Sequence, residues 1–296
     1  MNINYNTGSV VGQTIYNKTF TDNSGGGGLY YNTSYTYVIT PYNHNSLTGN
    51  TYTYTTYTLP TLNYLINGNL TTTSAELIFD GSFSYVSIYN YGSLLVTNYT
   101  SKVYVDTNVI PDFSYNYTVV PYNTIDFSGQ QLTIDSYTAA IVRNIFVGNS
   151  TATSNQLIID GSFNYYNLYY TDGTPVTNAT GISARYFVDD SGGFGLIPDA
   201  SYGYYAVPYN LISVSGDTSS LVVAYTLPTL NVTNTTTYNS ITMNFTGLYY
   251  YVDISYADGN VVATNISANS YTDNSGGLGL FSNYLYSYVI TPYDIG

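Results

Sequence analysis

Four times along the chain one phrase returns: a tyrosine, a second tyrosine two residues on, alternating apolar positions, then Pro-Tyr and an Asn or Asp. The copies start at Tyr35, Tyr115, Tyr202 and Tyr286 and close on Asn43, Asn123, Asn210 and Asp294. Their prolines stand at 41, 121, 208 and 292, so the intervals are 80, 87 and 84 residues. That period exceeds any solenoid repeat and fits a small β-sandwich. The chain reads as a tandem array of small domains, an organisation of rods, spacers and adhesive surfaces more than of catalysts.

The residues between the copies are strand formers. Forty tyrosines lie among abundant Thr, Val and Ile, and only 7% of residues are charged, which suits a pleated, half-buried surface. Ala75, Leu77 and Phe79 alternate with Glu76 and Ile78 before Asp80-Gly81-Ser82, where a turn is expected. Leu157 and Ile159 before Asp160-Gly161, and Ile241, Met243 and Phe245 before Thr246-Gly247, repeat the pattern. After each turn Val86 and Ile88, Tyr166 and Leu168, and Val252 and Ile254 are expected to point inward.

Leu29, Leu196 and Leu280 each precede the first tyrosine of a copy by six residues, with Val109 in that place before Tyr115. In this the chain resembles fibronectin type III domains, whose tyrosine corner follows a leucine at that distance. The resemblance implies an all-β fold of tandem immunoglobulin-like sandwiches in a linear rod. It assigns Tyr35, Tyr115, Tyr202 and Tyr286 to corners where a hydroxyl bonds upstream backbone. The chain departs from the family in having no tryptophan, with Phe79, Ile159 and Phe245 in place of the large aromatic, and in placing proline at the strand end. Tyrosine-rich units ending in Thr-Pro-Tyr-Asn are also similar to tandem repeats encoded by giant DNA viruses.

Four segments are expected: 1–58, a partial sandwich holding the later strands; 59–138 and 139–226, complete sandwiches; and 227–296, a sandwich lacking its last strand. Residues 3–43 align without a gap onto 254–294 at a constant offset of 251. Two accounts are open. The sequence is a window on a longer array, or strands are donated between subunits, with residues 44–58 as the donor. No linker separates Thr58 from Leu59-Pro60, or Thr226 from Leu227-Pro228, so stiff joints are expected, with roughly 30 Å added per domain.

A net charge of −13 with only Lys18, Lys102, Arg143 and Arg185 as basic residues is unsuited to a phosphate backbone, so nucleic acid is not an expected partner. No apolar run approaches the ~20 residues of a membrane span. Cysteine is absent, leaving stability to cores and joints. His44 is the sole histidine and lies between Asn43 and Asn45 in a polar stretch, so no catalytic residue and no cofactor are expected.

Three clusters, at Asp22, at Asp189 with Asp190, and at Asp273, precede glycine-rich turns. They are open to two readings: weak calcium sites, whose six to eight oxygens they only partly supply, or Asx-type turns with glycines at positive φ. Acceptor sequons fall at Asn17, Asn32, Asn69, Asn98, Asn149, Asn178, Asn231, Asn234 and Asn265, and within expected strands at Asn116 and Asn244. Asn98, Asn178 and Asn265 are read as loop positions. Runs such as Tyr249-Tyr250-Tyr251 send rings outward, to stack on sugars, to pack on a neighbouring rod or to pair across strands. The expected partners are covalent glycans and neighbouring copies of the repeat in a filament. The expected place is extracellular, on a cell or virion surface.

Overall fold

Alternation of apolar and polar residues underlies the core strands of the computed structural model, which describes residues 1–294. All regular elements among them are β-strands apart from three short 3-10 turns, and every strand pairing is antiparallel. Two compact units divide at Thr138/Ala139.

The first unit opens with β1 (Asn2–Tyr5), β2 (Val10–Gly12), β3 (Ser34–Thr40) and β4 (Tyr52–Tyr57), which form one sheet in the order β2-β1-β3-β4. Its remaining strands are β5 (Thr61–Leu70), β6 (Ala75–Ser82), β7 (Tyr85–Asn90), β8 (Ser93–Tyr99), β9 (Val103–Asp106), β10 (Ser114–Tyr122) and β11 (Leu132–Tyr137). They make a three-stranded sheet, β5-β6-β9, and a four-stranded sheet, β11-β10-β7-β8. Between the sheets Ala75, Leu77, Phe79, Val86, Ile88, Tyr117 and Val119 are fully buried. The larger aliphatic and aromatic side chains among them contribute about 1.5–3 kcal/mol each.

In the second unit β12 (Ile141–Ser150), β13 (Asn155–Ser162), β14 (Tyr165–Tyr170), β15 (Tyr186–Asp189), β16 (Ser201–Tyr209) and β17 (Val222–Tyr225) give the sheets β12-β13-β15 and β14-β16-β17. They enclose Leu157, Ile159, Tyr166, Leu168, Tyr204 and Ala206. Then β18 (Asn231–Thr236), β19 (Ile241–Thr246), β20 (Tyr251–Tyr256), β21 (Val261–Ile266), β22 (Ser270–Asp273) and β23 (Tyr288–Tyr293) give β18-β19-β22 and β21-β20-β23. Their smaller core holds Met243, Phe245, Val252 and Ile254. Paired antiparallel sheets repeated along one chain define tandem fibronectin type III-like β-sandwiches.

The expected turn at Asp80-Gly81-Ser82 is not there: β6 runs through all three residues and the chain reverses at Phe83-Ser84. Glycine has another cause at this place. A Cβ on Gly81 would lie 2.1 Å from the Thr61 carbonyl oxygen, and one on Gly161 or Gly247 would lie 2.2 Å from that of Ile141 or Thr229. The glycine lets two strands approach beside a bulge.

Proline at the end of β10 is equally local in origin. The carbonyl of Pro121 accepts the N–H of Gly129 at 2.9 Å, so its missing N–H faces the β11 side. The β11 ladder has already stopped there, at the pair Val119–Leu132, and no strand bond is lost. Pro41 and Pro208 accept from Gly49 and Gly216 in the same way.

Candidate functional site

What recurs in these sandwiches is a set of polar fastenings, and the deepest is a carboxylate. Asp189 ends β15 and is almost fully buried. One oxygen accepts the hydroxyls of Tyr170 and Tyr204, both at 2.8 Å, and the other accepts the Ser191 N–H at 3.1 Å. Asp273 holds Tyr256 at 2.7 Å, Tyr288 at 2.8 Å and the Ser275 N–H at 2.9 Å. Asp22 holds Tyr5 at 2.6 Å, Tyr37 at 2.9 Å and the Ser24 N–H at 2.8 Å. Asp106 holds Tyr117 at 2.8 Å and the Asn108 N–H at 2.9 Å. Its second tyrosine is missing because Asn90 stands opposite Tyr117, where Tyr170 stands opposite Tyr204.

Bonds to an ionised acceptor are worth about 1.5–3 kcal/mol each. Burial first, then the neighbouring carboxylate, pushes the phenols of Tyr37, Tyr117, Tyr170 and Tyr288 well above the usual tyrosine range. Tyr204 is raised likewise, burial and Asp189 outweighing a bond from Asn155. Tyr256 is pushed up to about 12. For Asp22, burial acts upward, but the bonds from Tyr5, Ser24 and Tyr37 outweigh it and hold the carboxyl below its ordinary value.

These aspartates are the residues read as weak calcium candidates. Asp22, Asp189 and Asp273 turn inward to tyrosines, while Asp190 is exposed and accepts the Gly193 N–H at 3.0 Å. Among the described residues no three His, Cys, Asp or Glu side chains come together as a metal site. The turns have Asx geometry, with Gly25, Gly192 and Gly276 at φ between 65° and 69°.

At each corner the tyrosine hydroxyl accepts a backbone N–H from five residues upstream. Tyr30 donates to Tyr35, Ile110 to Tyr115, Ile197 to Tyr202 and Phe281 to Tyr286, at 2.8–2.9 Å. Tyr115 is buried and the other three rings are half-buried.

A threonine closes each of the first three copies. The Thr58 hydroxyl donates to the Tyr30 carbonyl at 2.6 Å and accepts the Thr33 N–H at 3.0 Å. Thr138 bridges Ile110 and Phe113 at 2.6 and 3.0 Å, and Thr226 bridges Ile197 and Ala200 at 2.7 and 3.1 Å. Backbone bonds reach across the joints. The Asn32 N–H donates to the Leu59 carbonyl at 3.1 Å and that of Asp199 to Leu227 at 3.3 Å, while Leu227 donates to Thr151 at 2.8 Å. The asparagine of Pro-Tyr-Asn fastens the next loop, Asn123 accepting from Ile125 and Phe127 and Asn210 from Ile212 and Val214.

The sequons divide by environment. Asn17, Asn69, Asn149, Asn231 and Asn234 are exposed, the last four on strands. Asn32 is half-buried, and its side-chain oxygen accepts the Ser84 hydroxyl at 3.2 Å. Asn116, on β10, donates to Asp135 at 2.7 Å, and Asn244 lies on β19. Asn98 and Asn265 are not in loops: they lie within β8 and β21, at bulges, with φ of 55° and 56°. Asn178 is in a turn at φ 62°. Asparagine tolerates this left-handed backbone, and all three are exposed.

His44 is exposed in the loop between β3 and β4. Lys102 pairs with Asp80, and Arg185 donates to the Gly161 carbonyl at 2.6 Å while covering the Phe163 ring at 4.3 Å. Open hollows of about 490 and 540 Å³ flank two corner loops, lined by Tyr170, Asp172 and Tyr202 in one and by Tyr256, Asp258 and Tyr286 in the other. On the sheets, Tyr85 stacks on Tyr122, Tyr165 on Tyr209 and Tyr251 on Tyr293, with centroids 4.8–5.0 Å apart. No helix among the described residues is long and apolar enough to cross a membrane.

No family model and no curated protein matches the sequence. Solved structures similar to the chain are arrays of fibronectin type III domains. A two-domain segment of chicken tenascin is 15% identical with a TM-score of 0.41, covering 56% of this chain and 99% of that one. The central fibronectin-III array of RIM-binding protein is 14% identical with a TM-score of 0.24, covering 79% of this chain and 97% of that one. The FN1–FN3 domains of chicken CNTN1 are 14% identical with a TM-score of 0.28, covering 80% and 93%. At these values the fold class rests on the chain's own strand order and corner tyrosines.

Proposed function

We propose that the chain is a structural, non-catalytic segment of an extracellular or virion-surface fibre, glycosylated and built from tandem sandwiches over 1–58, 59–138, 139–226 and 227–296. The observation that carries this reading is the joint: Thr58 and Thr226 are fixed to the corner loop of their own repeat, and Leu59 and Leu227 are bonded directly to that loop or to its neighbour. A joint without free residues limits bending, as a load-bearing array requires. Single-molecule stretching tests it. A sawtooth with one unfolding event per complete sandwich supports the fibre, and bending at the joints without resistance would count against it. Treatment of secreted protein with a glycosidase should lower its mass.

A second reading is an adhesin that binds glycans or a receptor through tyrosine-rich surfaces. It is favoured by the repeated Tyr-Tyr stacks and by Phe194 and Leu278, 94% and 93% exposed at the tips of the glycine-rich turns. Saturable binding on a glycan array, lost on Phe194→Ser, would favour it over the purely structural role.

A further inference from the structure

We propose that the hollow beside the corner of the β12–β17 sandwich is a binding site for a neutral pyranose, such as the terminal sugar of a glycan. The site rests on the adhesin reading, and none of the stacked tyrosines of the sheets lines it. Three features of its wall set the class of ligand. Aromatic surface comes from Tyr170 and Tyr202, whose ring centroids are 6.3 Å apart. Both hydroxyls are already committed, one to Asp189 and the other to the Ile197 N–H, so the rings are fixed and have carbon rather than oxygen to offer a ligand. A charged acceptor comes from Asp172. Thr174 donates its N–H and its hydroxyl to one oxygen of that carboxylate, at 2.9 and 2.7 Å. These bonds, the hydroxyl's first, fix the group and hold it below its ordinary value. An ionised acceptor bonds hydroxyl donors more strongly than a neutral one. Hydroxyls that both donate and accept come from Ser191 and Ser201.

A pyranose matches this wall, with C–H groups on its ring faces for the tyrosines and hydroxyls around its rim for the carboxylate and the serines. No Lys or Arg among the described residues lines the hollow, so phosphates, sulfates and sugar acids would meet no counter-charge. Its volume of about 490 Å³ falls within the ~300–1,000 Å³ of small-ligand clefts. The same positions recur elsewhere. Tyr256, Asp258, Ser275 and Tyr286 line the hollow of about 540 Å³, and Tyr5, Thr7, Ser24 and Tyr35 line one of about 380 Å³ in which Thr7 replaces the carboxylate. The β5–β11 sandwich differs. Asn90, Tyr91 and Gly92 stand there at the positions of Tyr170, Thr171 and Asp172. The Tyr91 hydroxyl donates at 3.1 Å to the carbonyl of Ser114, which stands at the position of Ser201. The place of the hollow is thus bridged by a tyrosine and lacks its carboxylate, which makes this sandwich an internal control.

Amide chemical-shift mapping on the full chain tests the site, with the methyl glycosides of glucose, galactose, mannose and N-acetylglucosamine as probes. At least one should cause saturable shifts at Thr171, Ile197 and Gly203 and none at Tyr91 and Ser114. Asp172→Ala, at an exposed position of a turn, should weaken that binding at least about tenfold. The amides of Leu168 and Ala206, in the core, should stay unmoved in the unliganded variant. Shifts confined to Tyr165 and Tyr209 would overturn the site and leave the adhesin reading standing. No shift at the hollow from any probe would overturn it too, and a silent glycan array would then remove the adhesin reading as well. Equal binding by the Asp172→Ala variant, or a response to spermidine and to none of the glycosides, which would mark a cation site, would also overturn the proposal.

Discussion

The sandwich of β12–β17 and that of β18–β23 share their corner, their carboxylate fastening and their stacked tyrosines, yet they are buried to different depths. In the former Val142 on the first strand is buried, Ala224 on the last strand fills the core, and β17 lies against β12. In the latter every residue of β18 is exposed, and no strand corresponding to β17 is present among the described residues. The last strand thus does more than extend a ladder. It shields the first strand and closes the core over the tyrosines that bond the carboxylate.

The widest separation between the two is expected in alkali. A phenol raised by burial stabilises the fold fully below its ordinary value near 10, and that contribution is lost as pH rises through the folded value. Tyr256 reaches about 12, and Tyr288 beside it, like Tyr170 and Tyr204 in the other sandwich, is raised further still. Between pH 10 and 12 the raised phenols of both sandwiches lose this contribution alike, and the β18–β23 sandwich, with its smaller core, should open before β12–β17, which hydrogen exchange or phenolate absorbance resolves. The acid side has the opposite sign. Asp22, held below its ordinary value, stabilises the β1–β4 sheet above about pH 4, and that contribution is lost as pH falls through the folded value.

Removing the carboxylate sharpens the contrast. Asp189→Ala leaves the buried hydroxyl of Tyr204 and the half-buried one of Tyr170 without their acceptor and should cost about 3–5 kcal/mol. Asp273→Ala should cost only about 1–2 kcal/mol, because water reaches Tyr256 and Tyr288. Equal losses in chemical denaturation would break the comparison. Thr226→Val removes a buried hydroxyl that both donates and accepts, and should cost about 1–3 kcal/mol in β12–β17 while leaving exchange in β20 unchanged. The smallest effect has the reverse sign. Tyr166 is fully buried and its hydroxyl meets no hydrogen-bond partner among the described residues, so Tyr166→Phe should stabilise by up to about 1 kcal/mol.

Much of this was legible in the sequence because it is periodic. The inward pairs Val86 and Ile88, Tyr166 and Leu168, and Val252 and Ile254 follow from alternation, and each is buried. The carboxylate fastening was not legible. Asp22, Asp189 and Asp273 stand before Ser-Gly-Gly, so local chemistry pointed to a turn or a metal, whereas their partners lie on other strands. A signal existed: each precedes the second tyrosine of its copy by 15 residues. Asp80-Gly81 misled for a similar reason, since a turn dipeptide also serves where a neighbouring strand leaves no room for a Cβ. Asn98 and Asn265 read as loop residues because a bulge interrupts alternation without ending a strand.

Site-resolved hydrogen exchange on the intact chain, comparing β16 with β23, tests the central claim that the last strand sets the depth of burial. The amides of β16 that face β17 should exchange only on opening of the sandwich. Those of Tyr286, Tyr288 and Ile290 should exchange orders of magnitude faster, while β20 keeps its protection. Equal protection of β16 and β23 would contradict the account.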